Sequence, residues 1–168
     1  MTDRTRPPET GTEWDNLTGH LDFLRSTVVW KAAGLTDEQA RRRILAPSTL
    51  SVANIVKHLT CVERFWFSID FAGLDLPHPW TADDPHGCFR LDPGDTIEGL
   101  VAGYEAECER SRRAIEGFGL DDVARAEGMD FTLRFALAHM IEETARHAGH
   151  ADILREQLDE TTGYFPDN

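Results

Sequence analysis

The chain has 168 residues, 40% hydrophobic and 28% charged, which is the mix of one globular domain able to bury its own core rather than of a disordered segment. Its 30 acids against 17 bases give a formal net charge of −13, whereas nucleic acids and anionic membranes are bound by clustered cations. The densest basic run, Arg41-Arg42-Arg43, is too short to form such a surface, and no apolar run approaches the ~20 residues that cross a bilayer, so neither nucleic acid nor membrane is an expected partner.

Residues 1–12, polar and carrying two prolines, read as a flexible N-terminal arm without the apolar core of a signal peptide. Three cysteines without paired spacing (Cys61, Cys88 and Cys108) suit a reducing compartment, so a cytoplasmic location is expected. The first long helix is expected from Glu13 to Ala33, with Trp14, Leu17, Leu21, Leu24 and Val28 on one face and Gly34 as its stop. A short helix follows over Asp37–Arg43, opened by the capping box of Thr36 and Gln39.

The second long helix is expected over Val52–Ala72, where Ile55, Leu59, Val62, Trp66 and Ile69 recur every three or four residues before Gly73. The third opens at Asp95, with Glu98 completing a second capping box, and runs to about Glu116; Gly117 and Gly119 close it. The fourth runs from Thr132 to Asp159, aligning Leu133, Leu137, Met140, Thr144, Ala151, Leu154 and Leu158. Residues 13–163 thus form one helical domain, and 164–168 a C-terminal tail. Strand signal is nearly absent: Phe89-Arg90-Leu91 and the stretch around Val123 are too short for a sheet.

Between Gly73 and Gly94 the chain carries four prolines and no helical period. Bundle helices are usually joined by ~2–8 residues, and a connection this long can run the whole length of a helix at ~3.3 Å per residue. The expected fold is all-α: a four-helix bundle, up-down-down-up, with that crossover between helices two and three. Helices two and four then run antiparallel, the start of one beside the end of the other.

Helix four places polar groups where apolar ones belong. With Met140 at the centre of its stripe and ~100° per residue, Leu133, Ala151, Leu158 and His147 all fall within roughly 20° of it, and Glu143 lies one turn before His147. An ionised carboxylate cannot be buried alone; it is neutralised, paired or metal-bound. Spacing of four stacks Glu143 and His147 so that both reach one ion. By itself that pair fits a buried ion pair as well as two metal ligands. His58, on the shoulder of helix two's apolar face and near its start, is brought by the antiparallel pairing to the level of Glu143 and His147. Two imidazoles and one carboxylate leave coordination positions open, the pattern of a catalytic metal site.

His139 and His150 flank the same face and are candidates for orienting the ligands or meeting substrate; both also fit partly exposed amphipathic positions. His20 is a weaker candidate. His78 and His86 lie in the crossover, as solvent-exposed or lid residues. Cys61, three residues after His58, is an alternative ligand pointing farther from the stripe. Arg146, with Arg134 and Arg155, could meet an anionic substrate. Phe23 and Trp30, opposite helix one's stripe, read either as a homodimer contact or as packing beneath the crossover.

Two strings carry a family likeness. Val56-Lys57-His58-Leu59 with Val62-Glu63-Arg64-Phe65-Trp66-Phe67, and His139-Met140-Ile141-Glu142-Glu143-Thr144-Ala145-Arg146-His147-Ala148-Gly149-His150-Ala151-Asp152, closely resemble the DinB/YfiT-like metalloprotein superfamily. The nearest branch is the actinobacterial one of mycothiol-dependent transferases and mycothiol-dependent maleylpyruvate isomerase. The resemblance runs from Trp14 to Gly163 and implies a crossover four-helix bundle with one divalent metal, zinc or nickel, held by His58, Glu143 and His147. Many members have histidine where this chain has Glu143. A carboxylate is the harder ligand and leaves iron open beside zinc and nickel.

The function this implies is a metal-dependent thiol S-transferase, with mycothiol as cosubstrate and an electrophilic small molecule as acceptor. A metal-dependent isomerase or hydrolase that activates water is the second reading. A non-catalytic metal-binding stress protein is the third. No residue stands out as a separate general base.

Overall fold

The computed structural model describes residues 4–163, so the tail expected at 164–168 and the first three residues of the arm lie outside the described residues. The described chain is all-helical: α1 (Glu13–Ala32), α2 (Asp37–Arg41), α3 (Val52–Glu63), α4 (Ile97–Ala114) and α5 (Leu133–Asp159). Two isolated bridges, Thr81 with Asp84 and Val123 with Thr132, are the only strand-like pairings among the described residues. None of the described helices is long and apolar enough to cross a membrane.

Local chemistry sets most helix ends. Thr12 with Asp15, Thr36 with Gln39, and Ser51 with Asn54 form reciprocal capping boxes that satisfy otherwise unpaired N–H groups at the starts of α1, α2 and α3. Gly34 and Gly73 follow α1 and the α3 segment with φ of 77° and 68°, the left-handed turn that only glycine enters without strain.

Two expectations are corrected. The second long helix is α only as far as Glu63 and continues from Arg64 to Phe71 as a π-helix, in which Ala72 N–H reaches back five residues to Phe67 O at 3.0 Å. The wider turn buries five consecutive residues, Phe67 to Phe71, so the apolar pattern there fits either winding. The third long helix opens not at Asp95 but one residue later. Thr96 is its cap and accepts from Gly99 N–H, while the Asp95 carboxylate instead takes Lys57 Nζ at 2.8 Å.

Cross-helix contacts fix the directions. Glu13 pairs with Arg134 near the starts of α1 and α5, and near their ends Lys31 meets Asp152 at 2.7 Å, so the two run side by side in the same sense. Lys57 meets Asp95 and Arg64 meets Glu107 at 2.8 Å each, which sets α3 and α4 in a common sense. Trp66, late in the α3 segment, packs against His139, early in α5, at 4.2 Å between ring centroids, so this pair is antiparallel. Leu21, Val28, Ile55, Leu59, Tyr104, Leu137, Met140 and Leu154 fill the space between, each at most 1% exposed.

The aromatic face of α1 is met by the N-terminal arm. Arg4 of the arm lays its guanidinium over Phe23 and Trp30, 4.9 and 4.7 Å from their centroids, and donates to Thr27 Oγ1 at 2.6 Å. Phe23 is buried and Trp30 half-buried, so the arm covers part of the aromatic face on which a homodimer contact or packing beneath the crossover was expected. The described part of the arm packs on α1, with Pro8 against Gly19.

Candidate metal centre

His58 sits in the second turn of α3, Glu143 and His147 one turn apart on α5, and the opposed helices bring the three to one level. His58 Nε2 lies 3.0 Å from Glu143 Oε1, and His147 Nε2 lies 3.2 Å from the same oxygen. Their candidate ligand atoms all fall within 4.8 Å of one another, and no other such group of His, Cys, Asp or Glu occurs among the described residues. Both histidines are buried, 8% and 7% exposed, and the Glu143 side chain is 16% exposed.

This donor set fits a divalent cation. An ion at ~2.0–2.2 Å from each of three donors places them about 3.4 Å apart in tetrahedral geometry. The observed 3.0 and 3.2 Å separations are close to that. Both imidazoles turn the same nitrogen, Nε2, toward one carboxylate oxygen, and His147 Nδ1 has no hydrogen-bond partner. The charges have shifted accordingly. The bonds from His147 and then His58 hold the Glu143 carboxyl well below the usual carboxylate range, against burial. Burial pulls His58 downward, but the bonds to Cys88 and Glu143 outweigh it and raise the imidazole above its ordinary value.

The crossover closes over this site. A 3₁₀ turn, Gly87–Phe89, brings Cys88 Sγ to 3.2 Å from His58 Nδ1 and stacks the Phe89 ring on His58 at 3.9 Å and 13°. Cys61, one turn after His58, lies beside Cys88. Its influence, helped by His58 and opposed by burial, lowers the Cys88 thiol to about 5, and the proximity of Cys88 together with burial pushes Cys61 up. Neither Cys88 nor Phe89 stands out from the sequence as a site residue. The available signal is an apolar trio, Cys88, Phe89 and Leu91, that follows the polar run of residues 81–87 in a proline-rich stretch, since apolar loop residues must cover something.

The remaining candidates surround the cluster without joining it. His150 packs edge-on against His147 at 5.3 Å, and burial followed by the nearby His147 and Arg146 lowers its pKa. His139 lies tilted against Trp66, 4.2 Å between ring centroids, and parallel to Phe135 at 6.1 Å. Arg146 is exposed and paired with Glu142 one turn earlier on α5. Cys61 points to Cys88, and His78 and His86 are exposed in the crossover.

No curated relative matches the chain. A family model described as Mycothiol-S-transferase matches residues 16–160, from the second turn of α1 to the end of α5, and so takes in all three converging side chains and the turn that covers them. The chain belongs to the mycothiol-S-transferase family.

Proposed function

We propose that the protein is a metal-dependent thiol S-transferase that joins a low-molecular-weight thiol, mycothiol, to an electrophilic small molecule. The observation that carries this reading is the convergence of His58, Glu143 and His147 in a chain of a family named for thiol transfer. These three residues are the proposed ligands, and zinc is the metal that two imidazoles and a carboxylate suit best, with nickel or iron as alternatives. A divalent cation held there supplies Lewis acidity that makes a nearby thiol a better acid and therefore a better nucleophile at neutral pH.

The chain's own residues account for the rest. Glu143 offsets cationic charge in a site that is largely shielded from water. Phe89 caps His58 and limits solvent access from the crossover side. In the transfer the thiol loses its proton, sulfur forms the new bond to the electrophilic carbon, and the leaving group departs with its electron pair. His150 beside His147 and Arg146 at the rim are the groups placed to meet a polar substrate; His139 belongs to the aromatic shelf with Trp66. The shared sense of α1 with α5 and of α3 with α4, and the antiparallel α3 and α5, support an up-down-down-up four-helix bundle as the scaffold. A cytoplasmic setting and small-molecule partners, without nucleic acid, complete the reading.

Two measurements test the proposal. Elemental analysis of the purified protein is expected to find one divalent metal per chain, lost in His58→Ala. Conjugation assays with mycothiol, glutathione and bacillithiol against a model electrophile are expected to show turnover with mycothiol. A metal-free wild-type protein, or a His58→Ala variant that keeps both metal and turnover, would overturn the site. Turnover without any thiol would replace the transferase with a water-activating isomerase or hydrolase. Bound metal with no turnover would leave a metal-binding protein.

A further inference from the structure

A ligating histidine has two ring nitrogens, and the one facing away from the metal needs a partner that fixes which nitrogen faces inward. The two histidines of this site differ in that respect. His147 Nδ1 has no partner. His58 Nδ1 lies 3.2 Å from Cys88 Sγ, and Cys88 is only 4% exposed.

The turn that carries Cys88 is held in place. Gly87 N–H bonds Asp84 O at 3.2 Å, Phe89 N–H bonds His86 O and Arg90 N–H bonds Gly87 O at 3.0 Å each, and Arg90 pairs with Asp84. From this turn come two different restraints on one imidazole. The near-parallel Phe89 ring, at 3.9 Å and 13°, fixes the plane of the His58 ring but is indifferent to a half-turn within that plane. Such a flip would carry Nε2 away from Glu143 and put carbon in its place. Contacts that tell one ring edge from the other oppose it: Glu143 on Nε2, at the edge the metal would claim, and the Cys88 sulfur on Nδ1, at the edge facing away from it.

We infer that Cys88 is a positioning residue of the metal centre: its sulfur accepts the His58 Nδ1–H bond and so holds Nε2 toward Glu143 and the metal. This rests on the metal reading above, but its test is separable from it. In the full-length chain, Cys88→Ala is expected to weaken zinc binding, measured by competition with a chromophoric chelator, by roughly 10- to 100-fold at unchanged stoichiometry. Cys88→Ser, which keeps an acceptor of similar size, should recover most of that loss, whereas a purely space-filling role would treat the two variants alike. The second readout needs no metal. In 15N–1H spectra of the metal-free protein at mildly acidic pH, where both His58 ring nitrogens carry protons, a slowly exchanging Nδ1–H correlation should be present in the wild type, absent in Cys88→Ala and restored in Cys88→Ser. Zinc affinity in Cys88→Ala within about twofold of the wild type would overturn the inference, as would a wild-type His58 without a proton on Nδ1. A wild-type protein that binds no zinc would overturn the metal reading alone, and the Nδ1–H signal would still decide the role of Cys88.

Discussion

Glu63 and Glu143 both turn into this helical protein, and their surroundings separate structure from chemistry. Glu63 is fully buried at the junction of α3 and its π extension. Arg25 of α1 grips both its oxygens, Nε to Oε1 at 2.7 Å and Nη2 to Oε2 at 2.6 Å. Every strong acceptor is used, the partner is permanently charged, and no position remains for a ligand. Glu143 is less buried, yet its Oε1 is shared by two imidazoles, side chains whose ring nitrogens can bind a metal as well as a proton. A buried charge alone therefore marks no site. What distinguishes Glu143 is that its partners can give up protons and turn lone pairs toward a common point.

The comparison breaks most sharply at Glu63. Removing one member of a buried pair strands the other, so Glu63→Ala is expected to cost about 3–5 kcal/mol in urea or guanidinium unfolding while leaving zinc affinity of the folded fraction unchanged. Replacing both partners, Arg25→Met with Glu63→Leu, should recover most of that loss, because an apolar pair of similar volume needs no desolvation of charge. Glu143→Gln reverses the pattern. It should weaken zinc binding by at least about 100-fold, more than the loss of a ligand's outer partner typically costs. The stability of the metal-free protein should change by only about 1 kcal/mol. If Glu143→Gln destabilised the metal-free fold as much as Glu63→Ala, Glu143 would be a second structural pair and not a ligand.

The two glutamates were not equally legible. Glu143 could be found because helical register is local: four residues separate it from His147, and Met140 marks the face they share. Glu63 follows Val62 in the same apolar run, but its burial depends on Arg25, 38 residues earlier on another helix, and an arginine on a helix is ordinarily a solvated group. The same division runs through the fold. Capping boxes and glycine stops, such as Thr36 with Gln39 and Gly34, could be read from a few neighbouring residues. The start of α4 was misplaced because Asp95 and Thr96 are both capping types, and the choice between them is made by Lys57, which claims the Asp95 carboxylate. The π-helix was hidden because an apolar run fits more than one winding. Cys88 was hidden because its partner lies 30 residues away across a loop with no period to follow.

A pH series on the metal-free protein sharpens the comparison further, with an effect smaller than either substitution above. The Glu143 carboxyl is depressed in the fold by His147 and His58, so its contribution is present above the ordinary carboxylate pKa of ~4.3 and is lost as pH falls toward the folded value. His58 is raised despite its burial, by Cys88 and Glu143, so its contribution is complete below ~6.5 and is lost as pH rises through the folded value. The stability difference between wild type and Glu143→Gln should therefore be largest between about pH 4.5 and 6.5 and shrink on both sides. The difference between wild type and the Arg25→Met, Glu63→Leu double variant should lack the alkaline limb, since arginine keeps its proton throughout. A Glu143 difference that stays flat to pH 9 would mean that the imidazoles are not its partners.

The smallest effect is expected at Arg146, where the same helix turns toward solvent. Its side chain is 56% exposed and paired with Glu142, itself 56% exposed, an i, i+4 pair in high dielectric where two long side chains lose freedom to meet. Arg146→Ala should change stability by no more than about 0.5 kcal/mol. Zinc affinity should move even less, because Arg146 lies one residue before His147 yet on a different face of the helix. If Arg146 meets an anionic part of the substrate, the variant should raise KM for the thiol or electrophile with little change in kcat, and added salt should shrink the difference from wild type, as screening predicts for an exposed charge. A fall in kcat at unchanged KM would move Arg146 from the rim to the reacting atoms, and neighbours in sequence, one facing water and one facing the core, would then be acting on the same bond.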